Sequence, residues 1–293
     1  MMRRLLLTVL SVLLMCTTAL AGARTLTVEA VVSPAWVEHA GGGREPLVPG
    51  TELRNGDRVL TGSGARALLR MAEGSAIKLG ENASLGVDRL ADKGIAASRI
   101  VSGALDVAQG AFRFTTRVFG APRASRDLNI RIATVTAGIR GTDLWGKSST
   151  ERDVVCLIEG RIFVQHQDQA FTMQDPLSFF IAGRDGKRQP VAPVPAAQLQ
   201  EWATETEIAP ASGASRRGGT HRVALATVAD AGAAATLAGK LRAEGYPARV
   251  RAYRADGPGS GLRYAVDIIG LGSAEDAAHM AAALRRGGYS IQS

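Results

Sequence analysis

The stretch "GTDLWGKS", residues 141–148, decides how this chain is read. A glycine, four residues and then Gly-Lys-Ser is the template of a phosphate-binding loop. In such loops glycine amides curl around phosphates, a lysine reaches the outer oxygens, and a hydroxyl meets magnesium at a helix N-terminus. The template therefore requires a helix springing from Lys147, followed by a crossover of a dozen or more residues before the next strand. Only "STERD" (149–153) separates Ser148 from "VVCLIEGRIFVQ" (154–165), which is β-branched and strand-like. The preceding "NIRIATVTAGIRGTDLWG" (129–146) reads the same way, so Lys147 is expected to top a hairpin rather than cradle a nucleotide. Glu159, closing "VVCLIE", is a weak match to the second acidic motif of nucleotide hydrolases.

Working outward, glycine-bearing turns cut residues 24–183 into short apolar segments: "RNGD", "TGSG", "AEGS", "GENAS", "VSGA", "AQGA", "IEGR". Between them side chains alternate, with Ala67, Leu69 and Met71 set against Leu68 and Arg70, and Ile77 and Leu79 against Lys78. A period of two with frequent turn signals predicts an all-β unit, a sandwich or a stacked roll. Residues 184–220 differ: "RDGKRQPVAPVP" is proline-rich, "AAQLQEWATETE" can form one short helix, and "APASGASRRGGT" is small and polar. This is expected to be a flexible linker with a docking helix, with Trp202 packing back on the β unit.

From His221 the pattern changes again. "HRVALATV", "PARVRAYR", "LRYAVDIIGL" and "YSIQS" read as strands, and "DAGAAATLAGKLRAEG" and "SAEDAAHMAAALRRGG" as helices. Asp and Ser at the helix starts and glycines at their ends are the expected caps. The order βαββαβ over residues 221–293 predicts a small α+β unit, two helices covering one face of a four-stranded antiparallel sheet.

The chain opens with "MMRR", then the apolar "LLLTVLSVLLM", then "ALAGA" with small residues at Ala19, Ala21 and Ala23. This reads as a secretory signal peptide over residues 1–23. The apolar core falls short of the roughly 20 residues of a spanning helix. Export to the periplasm or cell envelope is the expected localisation. Of the two cysteines, Cys16 lies in that segment, which leaves Cys156, within "VVCLI", as a core residue. A net charge of +8, from 35 Lys and Arg against 27 Asp and Glu, favours anionic surroundings such as lipids or cell-wall carboxylates. Nucleic acid is not expected in that compartment.

The run "PLVPGTELRNGDRVLTGSGARALLRMAEGSAIKLGENASLGV", with "VSGALDV", "RIATVTAGIRGTDLWG" and "VVCLIEGRIFVQ", resembles the FecR domain, an all-β module of periplasmic bacterial proteins. Its matches include Gly56 and Asp57 before Val59 and Thr61, Gly74, and residues 139–143. In that pattern "GIRGTD" is the family's and "WGKS" follows by coincidence. With a signal peptide expected over residues 1–23, no counterpart is expected of the cytoplasmic segment and membrane helix through which FecR reaches a sigma factor, so the resemblance implies the periplasmic binding fold. Asp57 and Asp143 are expected to bond turn amides.

Residues 221–293 resemble the SPOR domain, a ferredoxin/RNP-like module that binds peptidoglycan glycan strands stripped of peptide, with "GSAEDA" its most specific piece. Ala224, Ala226, Ala265 and Ile269 stand where that family carries glutamine, arginine and glycine. Strand alternation places Val223, Leu225, Val250, Ala252, Tyr264, Val266 and Ile268 against the helices. Arg249, Arg251, Tyr253, Arg263, Asp267 and Gln292 then share the open face, the expected peptidoglycan-binding site. Guanidinium groups around a tyrosine suit sugar hydroxyls and lactyl carboxylates. RNA would suit the same layout, but the paired stacking aromatics are missing.

No enzyme is predicted. The four histidines, His39, His166, His221 and His279, have no metal-ligand spacing and are expected at the surface, and no nucleophile elbow occurs. No catalytic residue, metal or cofactor is expected. The sequence thus predicts a non-enzymatic envelope protein whose FecR-like domain offers a protein or ligand surface and whose SPOR-like domain holds glycan. The alternative is a signalling module whose C-terminal domain contacts a protein.

Overall fold

The computed structural model describes residues 26–93, 100–116, 125–139, 141–254 and 261–292. The expected signal peptide lies outside them.

Alternation in the sequence becomes two stacked sheets. In the strand Arg66–Met71, Ala67, Leu69 and Met71 are buried while their neighbours are half-exposed. The first sheet contains Leu26–Val32, Arg66–Met71, Ala76–Leu79, Asp143–Ser148, Arg152–Glu159 and Ser178–Gly183. The second contains Ala35–Glu38, Arg58–Thr61, Ser84–Lys93, Ser125–Ile132, Val135–Ile139 and Ile162–His166. Their inner faces share one apolar cluster, from Leu69, Phe112 and Val155 on one side to Val59, Leu105 and Ile130 on the other. A sandwich results because each sheet has one apolar face to bury.

One long strand, Ile100–Thr115, belongs to both sheets. Its first half pairs with Ser84–Lys93 and, in parallel, with Ser125–Ile132; its second half pairs with Ala76–Leu79 and Asp143–Ser148. The corner falls at Gly110, whose φ is +84° and where a Cβ would lie 2.5 Å from Ala83 Cα. Only glycine meets both demands there.

Residues 184–220 contain the expected short helix, α1 (Ala196–Thr206), but they do not run free. Arg188–Pro193 pairs with Ser178–Gly183, and Ala214–Arg216 pairs with Leu26–Val32. Between these strands α1 packs on the outer face of the first sheet through Leu199 and Trp202. The composition is linker-like, yet its backbone is taken up by neighbouring strands.

The C-terminal unit holds α2 (Ala231–Ala243) and α3 (Ala274–Arg286). Asp230 caps α2 by accepting from the amides of Gly232 and Ala233, and Ser273 caps α3 through the Asp276 amide. Leu262–Leu271 is the central strand, between His221–Val228 and Ala248–Arg254. The fourth strand expected from "YSIQS" is not formed among the described residues. The tail instead gives one backbone bond to the neighbouring strand, Gln292 N–H to Ala224 C=O at 3.0 Å, too little for a ladder. The unit meets the sandwich directly: Trp36 Nε1 donates to Ala243 C=O at 3.2 Å, and the Ala35 amide donates to Gly245 C=O.

Candidate functional sites

Residues 143–148 are a strand, paired with Ile100–Thr115 on one side and Arg152–Glu159 on the other. Residues 149–151 turn the chain, and no helix follows Lys147. From Asp143 onward the residues of the phosphate-loop template lie in a β-strand, while Gly141 and Thr142 just precede it. Gly146 faces the core, where a Cβ would meet Phe112 Cε1 at 2.6 Å and Ile132 Cδ1 at 3.0 Å. Lys147 points outward and donates to Glu205 at 2.8 Å. Ser148 is buried and donates to Ala108 C=O.

The strand after the turn also hides a carboxylate that sequence reading passed over. Asp153, within "STERD", is fully buried; it accepts from Arg184 Nη2 at 2.8 Å and from both the amide (2.9 Å) and hydroxyl (2.6 Å) of Thr134. It joins three segments distant in sequence, and only the unusual pairing of an acid with a following apolar run hinted at it. Asp57 behaves as expected, accepting from the amides of Ala40 and Arg54. Asp143 does not: it holds Arg113 through two bonds of 2.9 and 2.7 Å and accepts from the Thr115 hydroxyl. Its strand position aims it across the sheet, away from any turn amide.

The histidines also part from a uniform surface reading. His166 is buried, with Nδ1 3.1 Å from Thr134 C=O. His39 lies between Asp57 (3.3 Å) and Glu45 (3.2 Å). The hydrogen bond to Glu45 raises its pKa, with burial opposing and Asp57 adding to the rise. Cys156 is buried, and desolvation, then the charge of Asp143, push its thiol up to about 12. It is inert as a nucleophile at neutral pH. Among the described residues no cluster of three or more His, Cys, Asp or Glu could hold a metal.

In the C-terminal unit, cross-strand register settles the faces. Arg249 stands opposite Asp267, Arg251 opposite Ala265, and Tyr253 opposite Arg263, so these side chains share one face. Gln292 joins its rim by accepting from the Thr227 hydroxyl at 3.1 Å. Val223, Leu225, Val266, Ile268 and Tyr264 pack toward the helices. Val250 and Ala252 lie on that side by register but are exposed on the edge strand. A bulge between Ala224 and Ala226 then changes the phase, so that Val228 packs inward and Thr227 turns out.

At the centre of the open face Asp267 is buried, with Oδ2 3.8 Å from both Arg222 Nη1 and Arg251 Nη2. The Arg251 guanidinium also lies 5.2 Å from the Tyr253 ring centroid. Arg222 was missed, although the alternation that turned Val223 inward also turned its neighbour outward. The face thus carries Arg222, Arg249, Arg251 and Arg263 around one carboxylate. Such a face presents guanidinium donors to which an anionic or hydroxyl-rich chain is chemically suited.

Fold and face together define a β-sandwich protein bearing a small α/β unit with a basic sheet face. Residues 57–163 of the sandwich match the model of the family described as FecR protein. No curated protein matches the chain. Among solved structures, it is similar to two crystal structures of a candidate anti-sigma factor from Parabacteroides distasonis ATCC 8503. Each has 13% sequence identity and a TM-score of 0.38, covering 50% of this chain. The chain spans 64% and 63% of those two chains.

Proposed function

We propose that this is a non-enzymatic envelope protein whose FecR-type domain meets a protein partner and whose C-terminal unit binds glycan strands of peptidoglycan denuded of peptide. The FecR match supports an envelope signalling setting for the sandwich. The observation that carries the glycan half is the convergence of Arg249, Arg251, Arg263 and Tyr253 on one face with Arg222, around the buried Asp267. Lactyl carboxylates along a stripped strand offer anions to these donors, and the Tyr253 ring offers a face to a sugar. Export by the leader over 1–23 would bring the protein to that wall.

The test is retention of the full chain on amidase-treated sacculi. Arg249→Ala with Arg263→Ala is expected to cut retention at least tenfold, and raised salt to weaken what remains. Equal retention of the double variant and the wild type would remove the glycan reading.

A second reading has the same face contacting a protein. Ile269 supports it, since it is 40% exposed on the arginine side of the central strand. Cross-linking in envelope extracts separates the two readings, because one dominant protein adduct at Arg251 or Ile269 speaks for protein.

A further inference from the structure

The outer face of the first sheet carries one continuous cross-strand row. Lys78 stands opposite Arg113, Arg113 opposite Trp145, Trp145 opposite Cys156, and Cys156 opposite Phe179. Helix α1 lies on this row. Trp202 stacks on Trp145 with ring centroids 4.6 Å apart and planes 6° from parallel, and meets Phe179 edge-on at 5.8 Å. Glu205 takes Lys147; Glu207 takes Lys78 and Arg113.

The helix owes little to itself. It has 11 residues, a Pro195 N-cap with no side-chain acceptor, no acid in its first turn and no base in its last. Isolated helices of about that length are marginal in water. Glu205 and Glu207 sit at the end where the helix dipole is already negative, so in isolation they oppose it. What holds α1 is the row beneath. Trp145 is 1% exposed there, and its Nε1 is buried with no hydrogen-bond partner. The cover is therefore an imperfect match to the surface it hides.

We propose that this row is a docking groove for an acidic, tryptophan-bearing helix of a partner protein, and that α1 closes it as an internal stand-in. This rests on the protein-partner half of the function proposed above. The groove's chemistry specifies the occupant. Among the described residues, the acids paired with Lys78, Arg113 and Lys147 are Asp143, Glu205 and Glu207, so removing α1 leaves Asp143 alone against three cations. A fitting helix places an aromatic ring on Trp145, carboxylates three and five residues later, and an acceptor near Trp145 Nε1. Displacing α1 does not dismantle the sheet, because the strands flanking it, Arg188–Pro193 and Ala214–Arg216, keep their own partners.

The experiment uses the full chain, a fluorescent peptide of residues 194–208, and the alkylation rate of Cys156 by N-ethylmaleimide. Wild type is expected to bind the peptide weakly and to alkylate slowly. Trp202→Ala is expected to bind it at least tenfold more tightly and to alkylate at least tenfold faster, with the peptide restoring protection. A peptide carrying Glu205→Lys and Glu207→Lys is expected not to bind. Should Trp202→Ala fail to keep its far-ultraviolet strand signal, Glu205→Gln with Glu207→Gln serves in its place. A folded variant that alkylates as slowly as wild type, or alkylates fast without binding peptide, overturns the proposal. So does dimerisation of the variant by light scattering, which would give the groove to a second copy. Sacculus retention is measured alongside, and its loss bears on the glycan face alone. Peptide binding without any envelope protein adduct would instead sink the partner reading while leaving the groove intact.

Discussion

Gly146 and Phe112 share one place in the core: the ring edge of Phe112 lies where a side chain on residue 146 would begin, 2.6 Å from a Cβ built there. Phe112 and Ile132, the two residues in the way, are both fully buried and cannot swing out. Gly146→Ala is expected to cost about 1–3 kcal/mol by overpacking. Lys147→Ala, which removes a half-exposed ion pair, is expected to cost under about 1 kcal/mol. Urea unfolding of the two variants checks this order. In a phosphate loop the lysine would matter most, and here the glycine does.

Asp153 is the second structural test. Its carboxylate is fully buried and bonded to Arg184 and Thr134. Asp153→Ala leaves the Arg184 charge and the Thr134 donors without their partner, and removing one member of a buried pair typically costs about 3–5 kcal/mol. Arg184 is 30% exposed on its side chain, so water takes part of the load and the lower end is expected. A loss below about 1 kcal/mol by urea unfolding would show that the site is solvated.

His39 supplies the pH dependence. Its folded pKa is raised, first by Glu45 and further by Asp57. A raised histidine contributes stability that is fully present below its unfolded value, near 6.5, and is lost as pH rises through the folded value. Glu45→Gln is therefore expected to lower the His39 midpoint in an NMR titration. Wild type should exceed that variant in stability at pH 5.5, and the gap should close by pH 8. An unchanged midpoint would show that the 3.2 Å contact does not persist in solution.

Alternation made the sandwich legible, because burying one sheet face imposes period two on residues such as Ala67, Leu69 and Met71. Helix caps at Asp230 and Ser273 were legible for a similar reason: their bonds reach only two or three residues. The same short range explains the misses. The partners of Asp143, Asp153 and Lys147 lie 30, 31 and 58 residues away, and no local pattern encodes such pairings. On the two strands without a bulge, Arg249, Arg251, Tyr253, Arg263 and Asp267 share one face by register. On His221–Val228 the alternation slips at the bulge, and Arg222 was overlooked before it. The expected last strand failed because "YSIQS" is short and follows two glycines, so its strand-like composition finds no full ladder to join, although Tyr289 and Ile291 still pack on the core.

The strand Ile100–Thr115 makes the two sheets a single ribbon creased at Gly110. Neither layer has a hydrogen-bonded boundary at which it could peel away and leave the other whole. Heat or denaturant should thus strip the β unit in one step, with probes on Trp145 and on His166 reporting the same midpoint. A bulky residue at the crease would be felt on both sides of it.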